Sequence, residues 1–496
     1  MGLLGIIALV ISILGAIVGI VFLGFFDYRF MLVALAGIYI LGMSFWYYDV
    51  SRSVAQFQGS GHPYPYAGTR MLRVPGSVRY RVYYPADTTT CCGKVSPFYD
   101  GVGAFAFGYV TLGLHNCLNP DGCVSCIIEV ILRILINIVP LAWISIPTTY
   151  KNADPAIPKG VDVKDSKKNR KSIDGKRDTE VESKIAISIE TKGEKGFPLI
   201  VFSHGLAGTN EEHSIMFSEF ARHGYVVAAI AHEDGSAPRA RKEDGSNLWF
   251  VFPRQDEEEK CHDFACEFPR DPDAQLEGQF WNADRLSLFT KFRIAQVTQR
   301  QSEFHSVRNH ILKDAPEEIR RIIDPSFVIA GGFSYGATTA ALDSVLHPKD
   351  YVGAILWDGW FYIDGTEWPK AVHEKGIQHK SLFIGSTAFS GDHPYETAMG
   401  RLVKTAKQKS TFFALPNSSH EHFVDLPFWV PTGRPAFCLE AKGHLSNLIM
   451  AKEGTLKFLK TLTPNVPNKE EPDTQSKEVK RDPMKEVKKD SISTQN

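Results

Sequence analysis

The sequence predicts an α/β fold with a mainly parallel central sheet, joined to an N-terminal membrane anchor. Two observations support this prediction. Short apolar runs alternate with longer amphipathic stretches through residues 197–462, which is typical of buried parallel strands connected by helices. The first 48 residues hold two long uncharged runs, which is typical of membrane-spanning helices. The chain therefore divides into an anchor (1–48), one α/β domain (60–463) and a charged tail (464–496).

The N-terminal anchor is predicted from apolar length and from the absence of signal-peptide features. Residues 1–26 carry no charge and exceed the roughly 20 apolar residues that a membrane helix needs. After Asp27–Arg29 a second uncharged run covers 30–48, so one and two spanning helices both fit. A cleaved signal peptide has a basic start and an apolar core of about 7–15 residues, and the sequence has neither. Three arginines follow the apolar region and favour the cytoplasmic side for the domain, namely Arg52, Arg70 and Arg73.

Charge and cysteine content exclude two classes of partner. The chain has 55 Lys and Arg against 56 Asp and Glu, with a net charge of −1, which argues against a nucleic-acid-binding protein. Cys123 and Cys126 have the spacing of a zinc ligand pair, but no second pair or histidine follows at the required distance. We therefore predict no metal site and no nucleic-acid partner.

Three segments before the central domain pattern have a distinct character. Residues 71–84 alternate and are rich in Val, Tyr and Arg, which predicts one or two strands. Residues 124–146 form an apolar helix with one polar stripe, for which a buried helix, an interfacial helix and a third membrane span all stay open. The insertion at 159–196 and the tail at 464–496 are highly charged and poor in large apolar residues, so we expect disorder there.

The α/β pattern itself consists of alternating runs. Six apolar runs are predicted as buried strands, at 198–203, 225–230, 327–330, 352–357, 381–384 and 411–415. Amphipathic stretches between them are predicted as helices, at 212–223, 281–312 and 338–346.

The strongest motif in the sequence is Gly332-x-Ser334-x-Gly336. It directly follows the apolar run 327–330 and precedes the small residues of 337–341. A nucleophile elbow of an α/β-hydrolase fold needs this strand–turn–helix context, because its serine lies at a strained turn that only small neighbours allow. The alternative is a glycine-rich strand–helix turn with a capping serine.

A serine nucleophile needs a histidine base and an acid that orients it. In the α/β-hydrolase fold these residues follow in the order serine, acid, histidine. Asp358 ends the run 352–357 and is the first acidic residue after a buried strand downstream of Ser334, whereas Asp343 is expected on the surface of the elbow helix. His420 follows the run 411–415 and is the preferred base, with His422 as the near competitor.

Hydrolysis through a serine also needs two backbone N–H groups for the developing oxyanion. One normally belongs to the residue after the nucleophile, which is Tyr335. The other comes from a loop after an early strand, and the turn 204–208 makes Leu206 the second donor. His204, in the same turn, is interpreted as a structural residue rather than as a base.

Five segments together resemble the platelet-activating-factor acetylhydrolases of the plasma and intracellular type II, a lipoprotein- or membrane-associated phospholipase A2 family. They are 197–206 (FPLIVFSHGL), 221–229 (ARHGYVVAA), 332–336 (GFSYG), 357–360 (WDGW) and 419–425 (SHEHFVD). The resemblance runs from about residue 64 to 462. It implies Ser334 as nucleophile, Asp358 as acid and His420 rather than His422 as base, with oxyanion N–H groups from Leu206 and Tyr335.

The resemblance also implies the substrate and its surroundings. Such enzymes hydrolyse short or oxidised sn-2 acyl chains of phospholipids without calcium or another cofactor, so a phospholipid and a membrane are the expected partners. The segment 124–146 falls where the family carries an interface-binding helix, which favours the interfacial interpretation. Three departures leave the acyl chain length open: Phe333 replaces the usual histidine, the N-terminus is unlike the family's, and 159–196 is inserted.

Two alternative functions stay open, and so does the oligomeric state. The first is a general carboxylesterase or lipase that acts on acylglycerols. The second is an inactive α/β-hydrolase that serves as a membrane scaffold, although the serine, aspartate and histidine in the correct order speak against it.

Overall fold

The computed structural model describes most of the α/β domain. The described residues are 50–89, 94–95, 102–113, 146–158, 196–251, 288–363, 366–389, 393–408, 410–425, 443–462 and the single positions 37, 48 and 428. The predicted anchor (1–48), interfacial helix (124–146), insertion (159–196) and tail (464–496) lie outside them, apart from isolated positions. Within the described ranges, no helix has the length and apolar character needed to cross a membrane. The anchor gains no support from this part of the chain and stays a prediction.

The strands β1 to β14 are, in chain order, Tyr66–Arg73, Arg79–Ala86, Lys94–Val95, Ile146–Lys151, Phe197–Ser203, Val226–Ala231, Arg239–Arg241, Asn247–Trp249, Ile323–Phe333, Gly353–Trp357, Tyr362–Ile363, Thr366–Glu367, Lys380–Ser386 and Thr411–Leu415. The helices α1 to α8 are Val102–Gly113, Ser214–Arg222, Leu288–Lys313, Glu317–Arg320, Tyr335–Leu346, Lys370–Lys375, His393–Thr405 and His444–Leu462. A 3₁₀ turn covers His420–Phe423, and residues 50–58 are also helical.

Ten of these strands form one twisted sheet in the order β14-β13-β10-β9-β5-β6-β2-β1-β4-β3. The six strands from β14 to β6 are mutually parallel, and β2 joins β6 and β1 in antiparallel pairs. The predicted α/β class with a mainly parallel sheet is therefore confirmed.

The register of the parallel strands sets the position of the candidate site. Phe333, at the end of β9, pairs with Trp357 at the end of β10, and Trp357 pairs with Ile384 of β13. On the other side of β9, Gly332 pairs with Ser203 at the end of β5. The residues that follow these strands therefore leave the sheet at the same edge, which is where ligands bind in open α/β sheets.

The apolar core lies on both faces of the sheet. One face is covered by α3 and α5, whose Ala337, Ala340 and Ala341 let α5 lie close against the strands. The other face is covered by α2 and α8, which bury large side chains such as Phe217 and Leu448. Helices on both faces explain why the parallel strands appear in the sequence as uninterrupted apolar runs.

Two strand predictions differ from the structure by four or more residues at one bound, whereas the bounds of the other predicted strands lie within two residues of those observed. The segment 71–84 forms two strands, β1 and β2, which are joined by a turn closed by Val74 N–H donating to the Val78 carbonyl at 2.9 Å. Strand β9 begins four residues before the predicted start. Of its first four residues only Ile323 pairs, with Phe197, before the register shifts, and two of the others are exposed, so no apolar run marks this start.

Candidate active site

Ser334 lies in the sharp turn between β9 and α5. Its backbone angles are φ 55° and ψ −120°, a conformation that costs a residue other than glycine on the order of 1–3 kcal/mol. Two hydrogen bonds hold the turn: Ser334 N–H donates to the Trp357 carbonyl at 2.8 Å, and Trp360 N–H donates to the Ser334 carbonyl at 3.2 Å. The surrounding backbone thus fixes the strained serine at the carboxyl edge of the sheet.

The glycines on either side of Ser334 are required by close backbone contacts. A Cβ atom on Gly332 would lie 2.1 Å from the Gly336 carbonyl oxygen, and one on Gly336 would lie 2.0 Å from the Ser203 carbonyl oxygen. Any side chain at either position would force the backbone of the turn or of β5 to move. This geometry is the physical reason for the Gly-x-Ser-x-Gly spacing.

The structure brings Asp358 and His420 together, although they are 62 residues apart. His420 Nδ1 lies 2.6 Å from Asp358 Oδ2. Because a carboxylate oxygen only accepts, Nδ1 carries the donated proton and Nε2 is left as the free ring nitrogen. Asp358 is fully buried, and Ser386 orients it by donating from N–H to Oδ1 at 2.7 Å and from Oγ to Oδ2 at 2.6 Å.

His420 is flanked by two phenylalanine rings. Its ring centroid lies 4.6 Å from that of Phe333 and 4.2 Å from that of Phe389. Phe333 is the residue at which the elbow departs from the resembled family. The two rings restrict rotation of the imidazole, while a quarter of the His420 side chain remains exposed.

The competitor His422 has a different environment. It is buried, and its Nδ1 accepts a hydrogen bond from Ser419 N–H at 3.3 Å and lies 3.1 Å from Asn447 Nδ2. Of these two histidines, it is therefore His420 that is paired with the carboxylate of Asp358. Within the described residues no hydrogen bond joins Ser334 Oγ to His420, and catalytic hydrogen bonds of this kind often tighten only when substrate binds.

The turn 204–208 runs beside Ser334. Within the described residues, three of its N–H groups have acceptors: Gly205 donates to Glu212 Oε1 at 3.1 Å, Ala207 to the Ser236 carbonyl at 2.8 Å and Gly208 to the Gly205 carbonyl at 3.2 Å. Leu206 N–H has no such acceptor. Tyr335 is the first residue of α5, where N–H groups have no partner within the helix. These are the two donors that the sequence predicts.

The turn is also clamped through its carbonyl groups. Ala207 has φ 56°, a left-handed conformation that needs support from its neighbours. The hydroxyl of Tyr109, on α1, donates to the Ala207 carbonyl at 3.0 Å. Arg300, on α3, donates to the His204 carbonyl. Helices from two distant parts of the chain therefore hold the turn in place.

Behind the turn lies a buried group of polar side chains that we call the Arg300 cluster, formed by Ser203, His232, Asp234, Arg300 and Glu303. Arg300 donates to Ser203 Oγ at 3.0 Å, Ser203 Oγ lies 2.8 Å from His232 Nε2, and His232 Nδ1 lies 2.6 Å from Glu303 Oε2.

The guanidinium of Arg300 links this cluster to the elbow helix. It lies 4.8 Å from the ring centroid of Tyr335, and its Nε donates to Thr339 Oγ1 at 3.2 Å. Arg300 thus contacts both segments that supply the predicted oxyanion donors.

Burial controls the charges in and around the Arg300 cluster. Burial and the positive charge of Arg300 hold the pKa of His232 and that of His204 well below the ordinary histidine value. Burial also raises the pKa of Glu303 well above that of an exposed glutamate. His204 is therefore neutral, and its Nδ1 lies 2.8 Å from the adjacent Gly205 carbonyl. This environment agrees with its interpretation as a structural residue of the turn.

Several residues that shape the site were not predicted, and one prediction was wrong. Arg300, Tyr109, Ser386 and Phe389 reach the site from separate elements, and no local motif marks them. Asp343, expected on the surface, is fully buried because α3 packs across α5 and covers it.

Comparison with known proteins places this geometry in a family. The family model described as platelet-activating factor acetylhydrolase, isoform II, matches residues 168–462, which is more than half of the chain. The chain belongs to this family. The match includes the elbow, the turn 204–208, Asp358 and His420, so every predicted site residue of this acetylhydrolase family member lies inside the matched region.

Individual relatives of this acetylhydrolase family member are distant. The chain is 26% identical to the platelet-activating factor acetylhydrolase of Cavia porcellus over 251 residues, which are 48% of this chain and 50% of that protein. It is also 26% identical to the Gallus gallus protein of the same name over 258 residues, which are 48% of this chain and 54% of that protein. A solved ferulic acid esterase from Streptomyces cinnamoneus aligns with 81% of this chain and 91% of its own, at 16% identity and a TM-score of 0.46. The chain thus spans about half the length of the curated relatives it matches.

Proposed function

We propose that the chain is a serine ester hydrolase that cleaves short or oxidised sn-2 acyl esters of glycerophospholipids, 1-alkyl-2-acetylglycerophosphocholine among them. The observation that carries this proposal is the 2.6 Å contact between His420 Nδ1 and the buried carboxylate of Asp358, at the sheet edge that also presents Ser334. Membership in the acetylhydrolase family supports the choice of a phospholipid over an acylglycerol.

The proposed first step forms an acyl-enzyme. Ser334 Oγ attacks the ester carbonyl carbon while His420 Nε2 takes the hydroxyl proton, and Asp358 stabilises the resulting imidazolium. The N–H groups of Leu206 and Tyr335 stabilise the oxyanion of the tetrahedral intermediate. When the intermediate collapses, the ester C–O bond breaks, and His420 gives its proton to the departing lysophospholipid oxygen.

The proposed second step releases the acid. A water molecule gives its proton to His420 Nε2 and attacks the acyl-enzyme carbonyl, and the proton then returns to Ser334 Oγ as the carboxylic acid leaves. Each step uses only water and groups of this chain, so the proposed reaction needs neither calcium nor another cofactor. The ring of Phe389 and that of Phe333 give the base an apolar flank, which suits an acyl chain better than a charged substrate.

We also propose that the enzyme acts at a membrane. The uncharged residues 1–26 and the apolar segment 124–146, with its single polar stripe, support this proposal from the sequence. The arginines that follow the first 48 residues favour a cytoplasmic position for the domain.

The experiment uses the full chain, purified in detergent, against phosphatidylcholines with graded sn-2 chains and against triacylglycerol. We expect the highest kcat/KM for short sn-2 chains. Ser334→Ala should lower kcat by roughly 10³-fold or more while circular dichroism stays unchanged, because no other group supplies the nucleophile. Labelling by a fluorophosphonate should be lost in the same variant.

A matched pair of histidine variants tests the base. His420→Gln should lower kcat by a factor similar to that of Ser334→Ala, since residues of a triad act as a unit. His422→Gln, two residues away, should stay within about tenfold of the unmodified chain. Retained turnover in Ser334→Ala would contradict the mechanism, and faster hydrolysis of triacylglycerol than of any phospholipid would favour the general lipase.

A further inference from the structure

A second group of chemically reactive side chains lies at the far end of the elbow helix. Asp343 lies in the last turn of α5, and His347 is the residue that directly follows this helix; His347 N–H donates to the Asp343 carbonyl at 2.9 Å. His305 approaches them from α3. Asp343 Oδ1 lies 3.5 Å from His305 Nδ1 and 3.8 Å from His347 Nε2, and the three atoms all lie within 4.8 Å of one another.

These separations match those between ligands of one metal ion. Zinc binds histidine nitrogen and carboxylate oxygen at about 2.0–2.2 Å, so two ligands of a tetrahedral site are about 3.4 Å apart. The observed distances of 3.5 and 3.8 Å are longer than a good hydrogen bond but need to change by only a few tenths of an ångström to accept an ion. His305 Nδ1 is buried and makes no hydrogen bond to any described residue.

The carboxylate of Asp343 is held in the way that metal sites require. It is fully buried, Gln301 Nε2 donates to Oδ1 at 2.6 Å, and the Tyr351 hydroxyl donates to Oδ2. Such outer hydrogen bonds orient ligating carboxylates. Arg308, three residues after His305 on α3, is paired with Asp350 at 3.1 Å.

The two imidazoles stack against each other. Their ring centroids are 4.0 Å apart. The side chain of His305 is 27% exposed and that of His347 is 37% exposed, so this group of side chains lies at the protein surface although His305 Nδ1 itself is buried.

We propose that His305, Asp343 and His347 form a binding site for a divalent cation of the zinc class, with the remaining coordination position open to water. Two histidines and one carboxylate are a donor set that zinc prefers. The ion would link α3 to α5 at the end opposite Ser334, roughly 15 Å along the helix axis, so its role is to hold the elbow helix and not to take part in ester hydrolysis.

A second cluster of the same residue types provides the contrast. His62, Glu219 and His223 also come within ligand distance. However, Glu219 Oε2 already lies 2.8 Å from His62 Nε2, and Glu219 Oε1 accepts from Arg222 Nη1 at 2.9 Å. The arginine bound to this carboxylate already supplies a positive charge and disfavours a further cation.

The test is a Zn²⁺ titration of the full chain after removal of metal with a chelator, followed by calorimetry and by thermal unfolding. The experiment compares the unmodified chain with His305→Gln and His347→Gln, and uses His62→Gln as the matched control. We expect saturable binding and a rise in unfolding temperature for the unmodified chain and for His62→Gln. Either glutamine variant at the proposed site should bind at least tenfold more weakly.

Co²⁺ in place of Zn²⁺ gives a direct readout of ligation. The visible spectrum should report a site with nitrogen ligands in the unmodified chain and lose this signature in His347→Gln. The side chain of His347 is 37% exposed, so we expect this variant to fold. The proposal is overturned if both variants bind Zn²⁺ as tightly as the unmodified chain, if His62→Gln alone abolishes binding, or if no saturable binding occurs.

Discussion

The candidate triad and the Arg300 cluster lie side by side but are built in opposite ways. Ser334, Asp358 and His420 each follow the end of a strand, and His420 keeps a quarter of its side chain exposed. The side chains of the Arg300 cluster are buried, come from two strands' ends and one helix, and use their polar groups on one another. In the proposed mechanism the first region presents reactive atoms to a substrate, whereas the second fixes the backbone whose N–H groups stabilise the oxyanion.

The difference explains why only one of the two regions was predicted. Ser334 and Asp358 follow apolar strand runs, so their position at one sheet edge can be predicted from the pattern. The polar positions of α3 repeat with helical spacing, at Arg293, Gln296, Arg300 and Glu303, and such a stripe is normally exposed to solvent. In the structure it is buried. A helix with a polar face on the inside cannot be told from a solvated one until its packing partners are known.

The largest effect should come from changing the acid of the candidate triad. Asp358→Asn keeps the size of the side chain, but its amide NH₂ group disfavours the Nδ1–H form of His420. We expect kcat to fall by roughly 10³–10⁴-fold, measured with a short-chain phospholipid ester.

The matched control for this change is Asp425→Asn. Asp425 is equally buried, and burial together with Glu212 raises its pKa well above that of an exposed aspartate. Its Oδ2 accepts from Ile215 N–H at 2.6 Å, a bond that an asparagine oxygen can also accept. We expect kcat within a few-fold of the unmodified chain. Equal losses in both variants would mean that Asp358 is structural only.

The next effect should come from Arg300→Lys. Lysine keeps the positive charge but lacks the fork that reaches Ser203, the His204 carbonyl and Ser236 together. The turn that carries Leu206 N–H should then move. Since loss of a whole oxyanion donor costs about 10²–10³-fold, we expect a smaller loss in kcat, roughly 10- to 100-fold, with KM nearly unchanged.

Arg293→Lys is the matched control for this prediction. Arg293 is buried on the same face of α3, and its guanidinium donates to Gln296. We would measure kcat and KM of both variants together with their urea unfolding midpoints. The comparison distinguishes an effect on the position of the turn from an effect on the stability of the fold. An equal fall in kcat in both variants would contradict the claim that Arg300 positions the turn 204–208.

The smallest effect should be on the pH dependence of stability. The pKa of His204 is held well below the ordinary value, so the folded chain keeps it neutral while the unfolded chain binds a proton below about pH 6.5. The contribution of neutral His204 to the free energy of unfolding is fully present above that pH. Below it, the free energy of unfolding falls by about 1.4 kcal/mol for each pH unit.

His204→Gln removes this group and should make the decline shallower by that amount. Urea unfolding at about pH 7.5, 6.5 and 5.5 measures the slope for each chain. Parallel curves for the two chains would contradict the neutral state of His204.

Much of the fold, and part of the candidate site, could be predicted from the pattern of apolar residues in the sequence. The predicted strand at 411–415 coincides with β14, and the predicted helix at 212–223 contains α2. The contact of His420 with Asp358 brings together two residues that strand order had singled out. The contacts of Tyr109, Ser386 and Phe389 with the site could not be predicted, because each depends on which segments of the chain become neighbours in the fold. The anchor and the helix at 124–146 remain predictions.

The 3₁₀ turn that carries His420 is held by the last described helix. Asn447 on α8 donates to the Pro416 carbonyl at 3.1 Å, and His444 Nε2 lies 3.1 Å from the Val424 carbonyl. During synthesis on the ribosome, Ser334 and its strands emerge about a hundred residues before α8 is available to fix the base. In the proposed mechanism a nascent chain thus has its nucleophile before its general base is fixed, so the proposed hydrolysis begins only after α8 has been synthesised.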